Sequence, residues 1–436
     1  MPKETILTVG LAHSHGGFSR VVHSLVEKLY ECYDIHHLAV NLSSPPAPRY
    51  PFHVHANDVD GDWLGETKLY EMVQSLRPRL VWMLNDFWFL AKYHRLLRDL
   101  RGRLPTVAYV PLDGRILRHE QLWPLGLFDT VVLYNRFSRD ELASALRRVS
   151  VHRPGFEPPR LEVVPHGVDA ARFHRLDLPE ATRRARARRA LFGHDEHAGA
   201  FWVLNANQNA TRKRLDLTLE GFARFARGKP ADVKLYLHSA TRAAAHRGYD
   251  VPALAERLGI RHRLLFTRED GDPPAISDSR MNLIYNACDV GLNTSYGEGW
   301  GLVSFEHAAT GAAQIVPCHT ACRELWRGAA ELLPTTASVP RLGAPLEARN
   351  TTAEAVAAAL ERLYADPEHR YRMARAARAN ATRPEYQWSH IGRRWQRLFQ
   401  RRIEARDPPD RIEAAPATHH PRDLSQIGER HPNPLA

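Results

Sequence analysis

Tyr296-Gly297-Glu298-Gly299-Trp300-Gly301-Leu302-Val303-Ser304-Phe305-Glu306 runs on through His307-Ala308-Ala309-Thr310-Gly311-Ala312-Ala313, and the reading of this stretch decides the fold. Glu298 and Glu306 share a loop rich in glycine and the opening turns of an apolar helix. An apolar run suited to a strand, 288–295, precedes it, and another, 313–317, follows. A glycine-rich loop between strand and helix offers bare amide N–H groups and a positive helix end to an anion, usually a phosphate. Carboxylates repel phosphate, so the two glutamates are better suited to accept hydrogen bonds from hydroxyl groups. A nucleotide sugar, with diphosphate in the middle and polyol at both ends, meets both demands.

Working outward, 436 residues are too many for one ordinary core and predict two domains. Apolar residues make up 44% and charged residues 25%, which is ordinary for a water-soluble globular chain. No run approaches the roughly 18–20 apolar residues of a membrane span. The start, Met1-Pro2-Lys3-Glu4-Thr5, leads into a buried-strand pattern without a signal-peptide layout. Cys32, Cys288, Cys318 and Cys322 have apolar neighbours, as reduced cytoplasmic thiols do. Cys318 and Cys322 have no second ligand pair at zinc spacing, so no metal site is expected; no cofactor is expected either, a nucleotide sugar being a substrate.

The net charge is +11, yet only seven basic residues are lysine, so an arginine cluster carries little information by itself. Arg183-Arg184-Ala185-Arg186-Ala187-Arg188-Arg189 reads first as a solvated helix face, with nucleic acid or an anionic membrane surface as the second reading. A lysine in a chemically sensible place tells more.

Strands alternate with helical patterns almost throughout, the signature of parallel α/β layers. In the first half strands are expected over 5–12, 35–41, 80–85, 106–112 and 130–134, closing with Val163-Val164-Pro165-His166-Gly167-Val168-Asp169. The second half repeats the pattern over 201–206, 233–238, 264–267, 290–294, 314–317 and 331–334. Each half therefore reads as its own doubly wound sheet, with ligands at the carboxyl ends of the strands and a cleft between the halves. A late amphipathic helix, 386–399, carries large aromatics, and the proline-rich residues after it read as disordered.

Several candidates line that cleft. Gly16-Gly17, between the first strand and helix, lets a backbone amide approach a phosphate oxygen but lacks the dinucleotide spacing of a nicotinamide enzyme. Arg212-Lys213 follows the first strand of the second half, where an ammonium beside a guanidinium can hold a diphosphate and stabilise its departure. Asp113-Gly114 ends a strand of the first half and is either a turn or an acceptor-side group. His13, His15 and His166 also sit at strand ends, among 24 histidines. Trp82, Asn85-Asp86-Phe87-Trp88 and Trp123 line an acceptor groove or belong to the core.

With Glu298 and Glu306 spaced this way within Gly-Glu-Gly-Trp-Gly-Leu-Val-Ser-Phe-Glu-His-Ala, the chain resembles the retaining, GT-B-fold glycosyltransferases of the glycogen-synthase-like group, family 4. Val163–Phe173 is similar to that family's interdomain crossover, and Arg212-Lys213, Gly16-Gly17 and the final helix match in order. The resemblance implies two Rossmann-like domains facing across a cleft. These are an acceptor-side domain over 1–170, a donor domain over 171–384, a helix over 385–404 returning to the first, and a tail over 405–436. It implies that Glu306 holds the ribose hydroxyls and Glu298 the donor sugar. Gly301, Leu302 and Val303 would meet the diphosphate, clamped by Arg212 and Lys213, with Gly17 near the distal phosphate and Asp113 on the acceptor side. One departure is Asn207-Gln208, where the family carries Gly-Arg.

The activity so implied is transfer of a sugar, a hexose foremost, from a nucleotide-diphosphate donor to an acceptor hydroxyl, with retention and without a required metal. The acceptor is a small molecule, a glycan or a lipid-linked group. The expected location is the cytoplasm, with contact at the inner membrane face left open. Two other classes stay in view: an epimerase-like enzyme on a nucleotide sugar, and a non-catalytic protein using its basic surface for nucleic acid or membrane.

Overall fold

The computed structural model describes residues 3–12, 16–44, 50–195, 197–242, 248–268, 276–338 and 344–406. His13, His15 and the expected disordered tail from residue 407 onward lie outside them. The first sheet comprises β1 (Thr5–Gly10), β2 (Asp34–Ala39), β3 (His53–Ala56), β4 (Leu80–Leu84), β5 (Thr106–Val110), β6 (Thr130–Leu133) and β7 (Arg160–Val163). The second comprises β8 (Phe201–Asn205), β9 (Val233–Leu237), β10 (Leu264–Phe266), β11 (Val290–Leu292), β12 (Ala313–Pro317) and β13 (Glu331–Leu333).

Their spatial orders are β3-β2-β1-β4-β5-β6-β7 and β10-β9-β8-β11-β12-β13. Every neighbouring pair in both is parallel. Both orders reverse direction after their first strand, as in a doubly wound Rossmann sheet. The cause is visible in composition: β4, β5, β8 and β12 are buried at every position, so only helices on both faces can cover them. A short antiparallel pair, β14 (Thr336–Ser338) and β15 (Ala348–Asn350), lies outside both sheets.

The helix Trp388–Glu404 comes after the second sheet but packs on the first. Its buried stripe is Trp388, Ile391, Trp395, Leu398, Phe399 and Ile403. Trp395 meets Trp82 at 5.2 Å and Tyr109 at 4.8 Å between ring centroids. Trp82 is therefore core and lines no groove. His166 is also core: it is buried, its Nδ1 lies 2.8 Å from the Tyr109 hydroxyl, and burial pushes its pKa down to about 3.

The basic helix Glu180–Phe192 overturns the solvated-face reading. Arg183 and Arg188 are buried, and Arg184 is half-buried. Arg188 Nη2 reaches Asp289 Oδ2 at 2.7 Å while its Nε donates to the Ala287 carbonyl at 2.9 Å. Arg184 Nε lies 3.0 Å from the other oxygen of Asp289, and Arg183 donates to the Thr310 carbonyl at 2.5 Å. The guanidinium forks cap carbonyls at the ends of the helices Asp278–Ala287 and Leu302–Ala309, orphan acceptors that a buried helix end must satisfy.

Candidate active site

The glycine-rich loop enters the helix Leu302–Ala309 through Gly301, whose φ of 90° lies in the left-handed region that an L side chain resists. The turn aims the helix N-terminus at the first sheet. There a Cβ built on Gly17 would meet the Leu302 Cδ1 at 3.6 Å, so Gly17 and Leu302 face one another across the halves. At Gly297 the loop runs against Asp113: a Cβ there would meet the Asp113 carbonyl oxygen at 2.7 Å. Asn135, which caps the helix Arg136–His152, also donates to the Gly299 carbonyl at 2.8 Å. Glu324 crosses the other way, accepting from the amides of Arg136 and Phe137 at 3.1 and 2.7 Å.

Glu298 is buried inside its own domain's charges. Lys213 Nζ donates to its Oε1 at 2.5 Å, Arg212 Nη1 stands 3.4 Å from its Oε2, and Asn293 and Ser295 donate to Oε1 at 3.2 and 3.0 Å. Burial alone would raise this carboxyl; Lys213 and Arg212 outweigh it and hold the pKa down to about 2. The Lys213 ammonium is shifted downward by the same burial, against the pull of Glu298. Arg212 also donates to the Gly297 carbonyl at 2.5 Å and stands 3.3 Å from Asp113 of the first half. The structure thus brings Glu298, Arg212, Lys213 and Asp113 into one group.

Glu306 lies in the helix that follows, equally buried, with different partners. The Tyr285 hydroxyl donates to its Oε2 at 2.8 Å, and Arg20 of the first half reaches its Oε1 at 3.0 Å. Burial raises the Glu306 pKa, with Arg20 and Tyr285 only partly opposing it. Gly16 caps and Gly17 opens the first helix, Gly17–Leu29, while Gly301 caps and Leu302 and Val303 open the helix Leu302–Ala309. Asn205, Asn207 and Asn209, by contrast, build the turn after β8: Asn207 Nδ2 donates to Asn205 Oδ1 at 2.9 Å, and Asn209 Nδ2 to the Tyr249 carbonyl at 2.7 Å.

The comparisons with known proteins fall on this arrangement. A family model described as glycosyl transferase-like matches residues 252–398, the segment holding both glutamates. A D-inositol 3-phosphate glycosyltransferase of Geodermatophilus obscurus is 32% identical over 270 residues, covering 58% of this chain and 54% of that protein. One of Salinispora tropica is 28% identical over 269 residues, covering 58% and 52%. Among solved structures, a sucrose-phosphate synthase from Thermosynechococcus elongatus superposes with TM-score 0.69 at 16% identity, covering 93% of this chain and all of that one. Anabaena HepE in complex with UDP and glucose superposes with TM-score 0.66 at 16% identity, covering 91% and 100%.

The chain has the GT-B fold of these structures.

It spans about half the length of the curated relatives it matches. Arg20, Tyr285, Asn293 and Ser295 hydrogen-bond the two glutamates, and the sequence reading did not single them out. Arg20 stands one turn into the first helix after Gly17, where its position was the signal, but abundant arginine hid it. Asp86, named only as a groove residue, is half-buried at the start of the short helix Phe87–Leu90. Burial, and then the charge of Asp113, push its carboxyl up to about 8 against the pull of Arg212. Cys318 and Cys322 are free thiols. Among the described residues no helix is long and apolar enough to cross a membrane.

Proposed function

We propose that this protein transfers a sugar from a nucleoside-diphosphate sugar to an acceptor hydroxyl with retention of configuration. The observation that carries the reading is the group Lys213, Arg212 and Glu298 beside the amide-lined start of the helix Leu302–Ala309. Neighbours in complex with UDP and glucose, or bound with UDP-2-fluoro glucose, support a uridine diphosphate donor.

In this reading the leaving diphosphate lies along the amides of Gly301, Leu302 and Val303, with Gly16 and Gly17 at its distal end. Lys213 and Arg212 neutralise the charge that grows there as the sugar–phosphate bond breaks. Glu306 accepts the ribose hydroxyls. Glu298 accepts hydrogen bonds from the donor sugar; with its Oε1 already receiving three donors, it is a poor nucleophile, which favours attack by the acceptor from the leaving group's own face. Asp113 orients the acceptor hydroxyl from the first half. The fixed cations replace a metal in this step, and no further cofactor takes part. A cytoplasmic location is in keeping with four free thiols.

A thermal-shift series of nucleoside diphosphates on the full chain is the direct test. A ligand at 100 times its Kd adds about 2.7 kcal/mol to stability, and Lys213→Ala should abolish that gain. No diphosphate-dependent shift in the native chain would overturn the reading.

A further inference from the structure

The far edge of the first sheet carries a cluster that sugar transfer does not use. β2 and β3 pair in parallel with His36 opposite His53 and Leu38 opposite His55. Alternation along each strand therefore puts Asp34, His36, His53 and His55 on one face. His36 Nε2 lies 3.4 Å from Asp34 Oδ2, and His53 Nε2 lies 3.6 Å from Asp34 Oδ1. One ligand atom from each of these three residues lies within 4.8 Å of the other two. The imidazoles of His36 and His53 stack with centroids 4.5 Å apart and planes 23° from parallel. Thr5 Oγ1 reaches Asp34 Oδ2 at 3.5 Å.

We propose that Asp34, His36 and His53 bind a divalent transition-metal ion of the zinc class. Two imidazoles and one carboxylate are the donor set such ions take, whereas magnesium and calcium prefer all-oxygen shells. Around an ion with bonds of about 2.0–2.2 Å, neighbouring tetrahedral ligands stand roughly 3.3–3.6 Å apart, close to the two separations from Asp34. His55 completes the arrangement. Its Nε2 is 2.9 Å from His36 Nδ1, and a hydrogen bond donated by that Nδ1 leaves the His36 Nε2 lone pair free for the ion. The His53 side chain is 63% exposed and that of Asp34 41%, so an ion enters from solvent and keeps water in its open position. Asp34, His36 and His53 lie toward the amino ends of their strands, opposite the cleft at the carboxyl ends. The ion therefore ties the edge strand β3 to β2 and takes no part in transfer.

The competing account is a plain ion pair between Asp34 and a protonated histidine. Metal-free full-length protein titrated with Zn2+ by calorimetry, and with Co2+ by visible absorption, separates the two. The expected result is one saturable equivalent, the intense d–d bands of four-coordinate cobalt, and release of protons on binding. His53→Ala on the exposed edge and Asp34→Asn should each weaken Zn2+ by about 10–100-fold, while His152→Ala leaves it unchanged. The inference is overturned if native protein shows no one-equivalent step, or if His53→Ala binds like the native chain while melting at the same temperature. The readout is binding, so its failure leaves the reading of the cleft untouched.

Discussion

Glu298 and Glu306 are eight positions apart, both buried, and pushed in opposite directions. Glu298 is surrounded by the cations and hydrogen-bond donors of its own domain, so its charge is fixed before any ligand arrives. Glu306 has one neutral hydroxyl from its own domain and borrows its cation, Arg20, from the other. A carboxylate with internal partners is preorganised, whereas one whose partner sits across a cleft can exchange that partner for a ligand. That difference separates a group suited to the reacting centre from one suited to binding.

The largest break in the comparison should come from Glu298→Gln. It leaves Lys213 buried without its counter-charge, which costs about 3–5 kcal/mol when a buried pair is broken. Turnover should fall about 10²–10³-fold, the scale seen when one preorganised group at a reacting centre is lost. The sign with pH follows from the depressed pKa. Glu298 contributes stability that is fully present above its ordinary value of 4.5 and is lost as pH falls toward about 2. The gap corresponds to about 3 kcal/mol. Urea unfolding between pH 7 and pH 2 should show this acid-sensitive loss in the native chain and a smaller one in Glu298→Gln. Equal slopes in the two would show that Glu298 is not the fixed charge described.

Glu306→Gln should act in the opposite sense on stability. A carboxyl raised by burial loses stability as pH climbs from its ordinary value through its folded one, so removing the charge relieves the native state at neutral pH. Arg20, whose side chain is 41% exposed, turns to water and to Asp278 at 3.2 Å without stranding a buried cation. Stability at pH 7 should therefore hold or rise, while KM for the donor rises about tenfold, near 1.4 kcal/mol. A loss of stability matching that of Glu298→Gln would erase the contrast between the two.

How much of this was legible in the sequence follows from the same residues. The loop and its glutamates stood out because glycine and acid together are chemically costly on an apolar helix start. Lys213 stood out because lysine is scarce in this chain. The doubly wound architecture followed from continuous apolar runs such as Leu80–Leu84. The edge strand His53–Ala56 has no such run and was missed, its four residues being half-polar. Arg183 and Arg188 were misread because nothing in a basic helix tells which guanidiniums will meet carbonyls; only the packed neighbours Ala287 and Thr310 decide that. Trp82 was left between groove and core for the same reason, since its partner Trp395 lies more than 300 positions away.

The smallest expected effect is the sharpest test of the partner-exchange argument. Arg20 Nη1 occupies the Glu306 oxygen that a ribose hydroxyl would need, and its guanidinium also reaches the half-exposed Asp278 and lies over the Phe173 ring. In the proposed reading a nucleotide displaces Arg20 from Glu306, at a cost of about 1 kcal/mol for a bridge whose guanidinium side is 41% exposed. Arg20→Ala removes that competitor, so a nucleoside diphosphate should bind up to about fivefold tighter by calorimetry, at a cost in stability because buried Glu306 loses its cation. Weaker binding would mean that the guanidinium itself touches the nucleotide. Glu306 would then keep its cation through the reaction, and the two glutamates would differ in where their cations come from but not in how firmly they hold them.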